Sequence, residues 1–351
     1  MGAGPSLKSV ARAAGVSVSS VSNAYNKPEQ LSETVRTRIL DVAREQGYAG
    51  PDAAARSLRS RRAGAIGMLF TEQLSYAFSD PYSVGLLAGL AEVAEQSRTG
   101  LLLIPVAPVD STDPDAVDTS VQAVRQAVID GIVAYCVDPE HPAHEVIRSR
   151  GLPVVATNDV PGLTHYVLID EVGSTRKVGQ HLRKLGHRQV GVVLTSHSHG
   201  DELSVIEADE SHLLDFEQKR LRGFREGLGS GAEIVAVTGG HNSIESGRAA
   251  AGELLDRVDR PTAIMATSDV MALGVLQALD ERRLVPGKDV SVTGFDNIPE
   301  AAAAGLTTVS QPIAERGRLM GRMLLDPDFA ETRVVLPTKL IVRASTGPAR
   351  G

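Results

Sequence analysis

The chain has one cysteine, no tryptophan and few aromatic side chains. A single Cys136 in 351 residues excludes a disulfide framework and any zinc site built on cysteines, and it fits a reducing compartment. Aromatics at 3% are too few for a base-stacking platform. No apolar run approaches the ~20 residues of a membrane span. The leading residues MGAGPSLKSVARAAG lack the apolar core of a secretory signal, so a soluble, cytoplasmic protein is expected. Enzyme signatures are missing too. There is no G-x-G-x-x-G after the first strand, no P-loop, no G-x-S-x-G and no H-E-x-x-H. No base and nucleophile can be paired, which favours binding over catalysis and implies no cofactor.

The chain does have enough apolar residues, 42%, to bury a substantial core, and a length that suits two or three domains. Its net charge of −7 is unevenly distributed. Residues 1–62 carry ten basic and five acidic side chains, a net of +5, and the remainder carries a net of −12. A short basic head precedes a long acidic body, and basic segments seek phosphates.

The head reads SLKSVARAAGVSVSSVSNAYN over residues 6–26. Ser6 can cap a first helix whose apolar face is Leu7, Val10, Ala11 and Ala14. Gly15 suits the turn, and Val16 can plug it. Ser17 can cap a second helix from Val18 to Tyr25, with Val21 and Tyr25 inward. Ser32 opens a third helix, with Val35, Ile39, Val42 and Ala43 inward and Gly47 at its end. A glycine turn between two short helices is the helix-turn-helix pattern. The plain alternative is a three-helix bundle of any purpose. DNA binding is favoured because Val18, Ser19, Ser20, Ser22 and Asn23 form a small polar outer face that fits a major groove. Asn23 can pair bidentately with adenine.

Residues 51–62 read PDAAARSLRSRR, too short for a stable isolated helix. Leu58 among four arginines suits an apolar wedge in a minor groove; a plain linker is the other reading. From residue 65 onward, apolar strands alternate with amphipathic helices in two successive series, the second opening at YVLI (166–169). This pattern indicates two doubly wound parallel-sheet subdomains, an α/β fold in which ligands bind at the strands' carboxyl ends. Two such lobes make a cleft suited to a small molecule.

The stretches VARAAGVSVSSVSNAYN, ILDVAREQGY, AAARSLRSRRAGAIG, KVGQHLRKLGHRQVGVV, RLRGFREGL, MATSDVMALGVLQAL, VSVTGFDNIP, LTTVSQPIAERGR and LPTKLIVRAST occur in that order. With them the chain resembles the lac repressor (LacI/GalR) family of transcription regulators over nearly its whole length. The resemblance implies a DNA-binding domain over 1–50, a hinge helix over 51–62 and an effector-binding domain over 63–351 of the periplasmic-binding-protein type. Its lobes would be about 63–162 with 296–328, and about 163–295 with 329–351. A homodimer or higher oligomer on palindromic double-stranded operator DNA is implied, controlled by a small-molecule effector in the cleft, a sugar among the candidates.

Carried over by position, the groove readers are Val18, Ser19 and Asn23, with Ser17 and Ser20 also placed for DNA. Relatives often carry Arg at the last reading position, so Asn23 points to a shifted operator preference. Leu58 matches the minor-groove wedge and Ala55 the close-packed hinge contact. Gly50 is a one-residue insertion before the hinge. The effector set implied by the resemblance is Asp80, Tyr82, Asn158, Arg220, Asn242, Ser268, Asp269, Asp296 and Gln311. Asn242 stands where several relatives stack an aromatic on the ligand. Purely structural readings stand beside these: Asp269 as a helix cap, Arg220 as an ordinary ion-pair partner.

Residues 195–217 are longer than the family usually is, acidic, and carry His197, His199 and His212. With Asp201 or Glu202 these could ligate a metal, but their irregular spacing favours a solvated loop or small lid beside the cleft. The expectation is a regulator, most simply a repressor, that is not an enzyme and holds no metal. The alternatives are a solute-binding protein without DNA function and a cytoplasmic sugar-processing enzyme.

Overall fold

The computed structural model of the chain describes residues 5–51, 62–71, 74–106, 114–195, 203–206 and 213–350. They form two compact units, Met1–Gly64 and Ala65–Gly351. In the first unit three helices, Leu7–Ala14, Val18–Asn26 and Glu33–Glu45, enclose one small core. Val10, Ala11, Ala14, Val21, Ala24, Ile39 and Ala43 are buried in it. The helical spacing of these residues leaves them one face each, as the sequence pattern predicts. Leu7, Val16, Tyr25, Val35 and Val42 pack around the edge of this core. Tyr48 meets Tyr25 edge to face at 6.1 Å.

The second unit contains two sheets. The first has strand order β12-β5-β4-β3-β1-β2, with β1 at Ala65–Phe70, β2 at Gly100–Pro105, β3 at Ile132–Ala134, β4 at Val154–Ala156, β5 at His165–Ile169 and β12 at Arg333–Leu336. All of its pairings are parallel. The second has order β13-β11-β10-β9-β6-β8-β7, with β6 at Gln189–Leu194, β7 at Ser204–Ile206, β8 at Glu233–Thr238, β9 at Ala263–Ala266, β10 at Ser291–Asp296, β11 at Thr307–Ser310 and β13 at Lys339–Ile341. Only its edge strands β7 and β13 pair antiparallel.

Side chains alternate across each sheet, so each strand feeds two cores. Ile66, Met68 and Phe70 join the core on the side of helices Pro81–Gln96 and Ile313–Leu325, while Leu69 joins the opposite core with Val121, Val124 and Ile147. In the second sheet Val190, Val192 and Leu194 pack with Leu182, Leu221 and Phe224, and Val193 packs with Ala250, Leu254 and Val275.

Three sequence expectations need correction. Strand 165–169 was expected to open the second lobe, but it pairs with β4 and β12 in the first sheet. Strand β11, expected in the first lobe, pairs with β10 in the second sheet, and β12, expected in the second, belongs to the first. The physical reason is that a hydrophobic run signals a buried strand without saying which sheet it joins. Hydrogen-bond partners decide that, and the chain crosses between lobes three times, near residues 170, 311 and 337. The third correction concerns residues 195–217. They are not wholly a solvated loop, because Ser204–Ile206 adds an antiparallel edge strand to β8. Ala55, Leu58, His197, His199, Asp201, Glu202 and His212 lie outside the described residues. Among the described residues no His, Cys, Asp and Glu group is placed to hold a metal ion, and no helix is long and apolar enough to cross a membrane.

Candidate functional site

In the first unit, Ser6 and Ser9 form a reciprocal capping box, and Gly15 ends the first helix in the left-handed conformation at φ 65°. Ser17 then caps the second helix: its hydroxyl accepts from the Ser20 amide at 3.0 Å and lies 2.9 Å from the Ser20 hydroxyl. Ser17, Val18 and Ser19 are exposed, Val18 to 43%, an exposure no core position would have. Ser20 and Asn23 are half-buried. Asn23 Nδ2 donates to Gln30 Oε1 at 3.0 Å, so the 3-10 turn Pro28–Gln30 orients it. Sequence reasoning missed Gln30, since an irregular turn leaves no periodic signal. Gly50 adopts φ 108°, where a side chain would be strained, and a Cβ there would lie 3.2 Å from the Tyr25 ring, so glycine is favoured.

The cleft of the second unit lies at the carboxyl ends of strands from both sheets. Thr71, Cys136, Asn158, Glu171, Thr195, Asn242 and Ser268 follow the strands, and Asp296 ends β10. It holds about 1070 Å³ of empty space, counting its open mouth. Of the nine residues expected there, Asp80, Tyr82, Asn158, Arg220, Asn242, Ser268 and Asp296 line it, and Asp269 and Gln311 do not.

Each lining residue is also held by the scaffold. Asp80 caps helix Pro81–Gln96, accepting from the Ser83 amide at 2.9 Å and its hydroxyl at 2.7 Å. Burial nevertheless raises its carboxyl above the ordinary range. Ser268 caps helix Asp269–Glu281 through the Met271 amide at 3.1 Å and donates to Asn242 Oδ1. Asn242 Nδ2 donates to the Tyr76 hydroxyl at 2.7 Å, which joins the two lobes across the cleft. Lys219 reaches Asp159 of the other lobe at 3.6 Å.

Arg220 is 7% exposed; its Nε donates to Glu171 at 2.8 Å, its Nη1 to the Thr267 carbonyl, and it lies over the Phe295 ring at 3.7 Å. Burial opposes its charge, but the Glu171 and Asp296 carboxylates outweigh that, so its pKa rises. Asp296 is buried, which pushes its carboxyl well above the usual range despite Arg220. Its backbone sits at φ 120° and that of Asn297 at φ 61°, conformations costing about 1–3 kcal/mol each.

Asp269 and Gln311 stand behind this wall. Asp269 accepts from the Ile298 amide at 2.9 Å and the Thr308 hydroxyl at 2.6 Å, holding the strained turn after Asp296. Gln311 Nε2 donates to Asp296 Oδ1 at 2.6 Å and so aims it. Gln311 thus touches Asp296 directly and Asp269 the turn behind it, and neither lines the cleft.

Other lining residues carried no sequence signal of their own. Arg316 is buried, and its Nε, Nη1 and Nη2 donate to the Val167 carbonyl at 3.0 Å, the Tyr82 hydroxyl at 2.8 Å and the Thr157 carbonyl at 2.7 Å. Burial raises the Tyr82 phenol to about 12. Tyr82 stacks on Tyr135 at 5.7 Å, which meets Phe70 edge to face. Tyr76 and Tyr135 supply ring surface in a cleft that has no aromatic at Asn242. The Cys136 thiol, pushed up to about 11 by burial, is held neutral.

Two family models match: bacterial regulatory proteins of the lacI family over residues 6–50, and a periplasmic binding protein-like domain over residues 180–346. An HTH-type transcriptional regulator of Mycolicibacterium smegmatis is 37% identical, with 97% of this chain and 96% of that protein covered. A LacI-family transcriptional regulator from Corynebacterium glutamicum is similar in structure, with TM-score 0.73, 33% identity and 98% of each chain covered. The regulator CelR in complex with cellobiose superposes with TM-score 0.66 at 27% identity, covering 97% of this chain and 99% of that one.

Proposed function

The chain belongs to the LacI family of DNA-binding transcription regulators, and from that premise we propose that it is a homodimeric repressor of a palindromic operator, released or tightened by a small molecule in the interlobe cleft. Val18, Ser19 and Asn23 read the major groove, Ser17 and Ser20 also contact the DNA, Ala55 packs the hinge and Leu58 wedges the minor groove. Asp80, Tyr82, Asn158, Arg220, Asn242, Ser268 and Asp296 contact the effector, with Asp269 and Gln311 supporting Asp296.

The observation that carries this reading is the cleft. Residues from the strand ends of both lobes converge on it, and the lobes already touch across it through Asn242 and Tyr76. A ligand bound there contacts both lobes and so favours one arrangement by its differential affinity. The bound cellobiose of CelR supports a sugar as the effector class. Its relatives are regulators, which leaves a sugar-processing enzyme without support.

A gel shift of the full chain on the DNA upstream of its own gene tests the proposal. A specific band that weakens steeply with salt and responds to a metabolite is expected. A band insensitive to operator sequence would overturn it.

A further inference from the structure

Asn23 projects from helix Val18–Asn26, and its amide is held by a residue outside that helix. Its Nδ2 donates to Gln30 Oε1 at 3.0 Å. In a continuous helix, residues seven apart are separated by about 10 Å along the axis, so this contact depends on the chain turning back. Three features turn it there. The helix ends at Asn26, with the Lys27 amide bonded to the Asn23 carbonyl at 2.8 Å. Pro28 opens the 3-10 turn with a fixed φ, and the Gln30 and Leu31 amides close it on the Lys27 and Pro28 carbonyls at 3.0 and 3.1 Å. Leu31 then packs against the core of the three helices. Gln30 is therefore anchored at its backbone while its side chain is exposed.

The contact selects one orientation of the Asn23 amide. Bidentate pairing with adenine needs Oδ1 to accept from N6 and Nδ2 to donate to N7. Nδ2 carries two hydrogens, and Gln30 takes one of them, which leaves one for N7. Among the described residues Oδ1 makes no hydrogen bond, so it is open to N6. Held this way, the amide offers one acceptor beside one donor, the complement of adenine. Guanine carries acceptors at both N7 and O6, so Oδ1 would face another acceptor. The terminal torsion of Asn is broad and roughly twofold. An amide released from Gln30 can swing round and turn Nδ2 towards guanine O6 or thymine O4. The family resemblance places Asn23 among the groove readers and gives Gln30 no part.

Resting on the reading of Asn23 as a groove reader, we propose that Gln30 is a specificity-determining positioning residue. It fixes the Asn23 amide in the orientation that pairs with adenine and disfavours guanine, at one base pair of each operator half-site.

The test selects bound duplexes from a randomised double-stranded DNA pool with the full chain, native and variant. Gel-shift titration then compares the selected duplex with duplexes changed at single positions. Asn23→Ala identifies the position that Asn23 reads, as the one whose preference it removes. The native chain is expected to prefer adenine over guanine there by about tenfold or more. Gln30→Met, similar in length but without the acceptor oxygen, should cut that preference to about threefold or less and leave the other positions unchanged. Gln30→Glu keeps an acceptor oxygen and should restore the preference, while its negative charge weakens binding to every sequence alike. Added to Asn23→Ala, Gln30→Met should change nothing further at that position. Should Gln30→Met fail to fold, Gln30→Ala carries the same expectation. A native preference for guanine at that position, or a Gln30→Met preference within about twofold of native, would overturn this inference and leave operator reading intact. So would a preference lost at a position that Asn23→Ala does not affect, which would make Gln30 a reader in its own right. A native chain that selects no sequence from the pool would remove both readings.

Discussion

Arg316 holds one wall of the cleft together without being part of any expected effector set. Its three donor nitrogens satisfy two backbone carbonyls and the Tyr82 hydroxyl inside the first lobe. Arg316→Met should cost about 3 kcal/mol of stability, measured by urea unfolding, because it leaves buried acceptors unpaired. Arg316→Lys should rescue little, since one ammonium cannot span three divergent partners. Asp269 gives a pH signature. Burial raises its carboxyl to about 7, above its unfolded value, so the folded state holds a proton that the unfolded state loses. Its contribution is full below about pH 4 and is lost as pH rises through about 7. Urea midpoints should therefore fall across that window, and Asp269→Asn should flatten the fall. In the head, Ser17→Ala should cost about 1 kcal/mol of stability through the lost cap. Asn23→Ala should leave stability nearly unchanged and relax base preference at one operator position by about 1–3 kcal/mol in binding-site selection.

Among the elements, the closest packing is between helices. Helix Pro81–Gln96 meets helix Ile313–Leu325 so tightly that a Cβ at Gly89 would lie 1.9 Å from the Ala314 carbonyl oxygen. In the other lobe, a Cβ at Gly223 would lie 2.2 Å from the Val172 carbonyl oxygen. Gly89→Ala should force the pair apart and lower stability by about 1–3 kcal/mol or more, read as a drop in Tm. The helices themselves were legible from their apolar stripes. Helices Pro81–Gln96, Ala143–Arg150 and Glu171–Lys184 fall between strands, as the alternation of apolar runs with amphipathic segments predicts. Sheet membership was not legible, because β5, β11 and β12 look like any buried strand until they find partners. The candidate cleft residues were legible only by resemblance, which could not separate Asp269 and Gln311, behind the wall, from the seven that line it. Glu217 and Arg316, which also line the cleft, escaped because a charged residue on a helix usually faces solvent, and only the packed structure reveals that these two do not.

At the scale of the whole second unit, the lobes are joined by three chain crossings and clasped by contacts across the cleft. Tyr76→Phe deletes the hydrogen bond from Asn242 while keeping the ring. It should weaken the contact between the lobes by about 1 kcal/mol and change effector affinity roughly fivefold, measured by calorimetry, with the head's folding unaffected. The three crossings also bear on how the protein is made. The first sheet lacks its edge strand β12 and its covering helix Ile313–Leu325 until residue 336 has been synthesised. The second sheet waits for β13, which ends at Ile341. The three-helix head needs nothing beyond its first fifty residues. On the ribosome the head can therefore fold early, while neither lobe can be completed until its edge strand, ending at Leu336 or Ile341, has been made. A message truncated between the head and residue 336 would yield a DNA-reading head with neither effector lobe complete to control it.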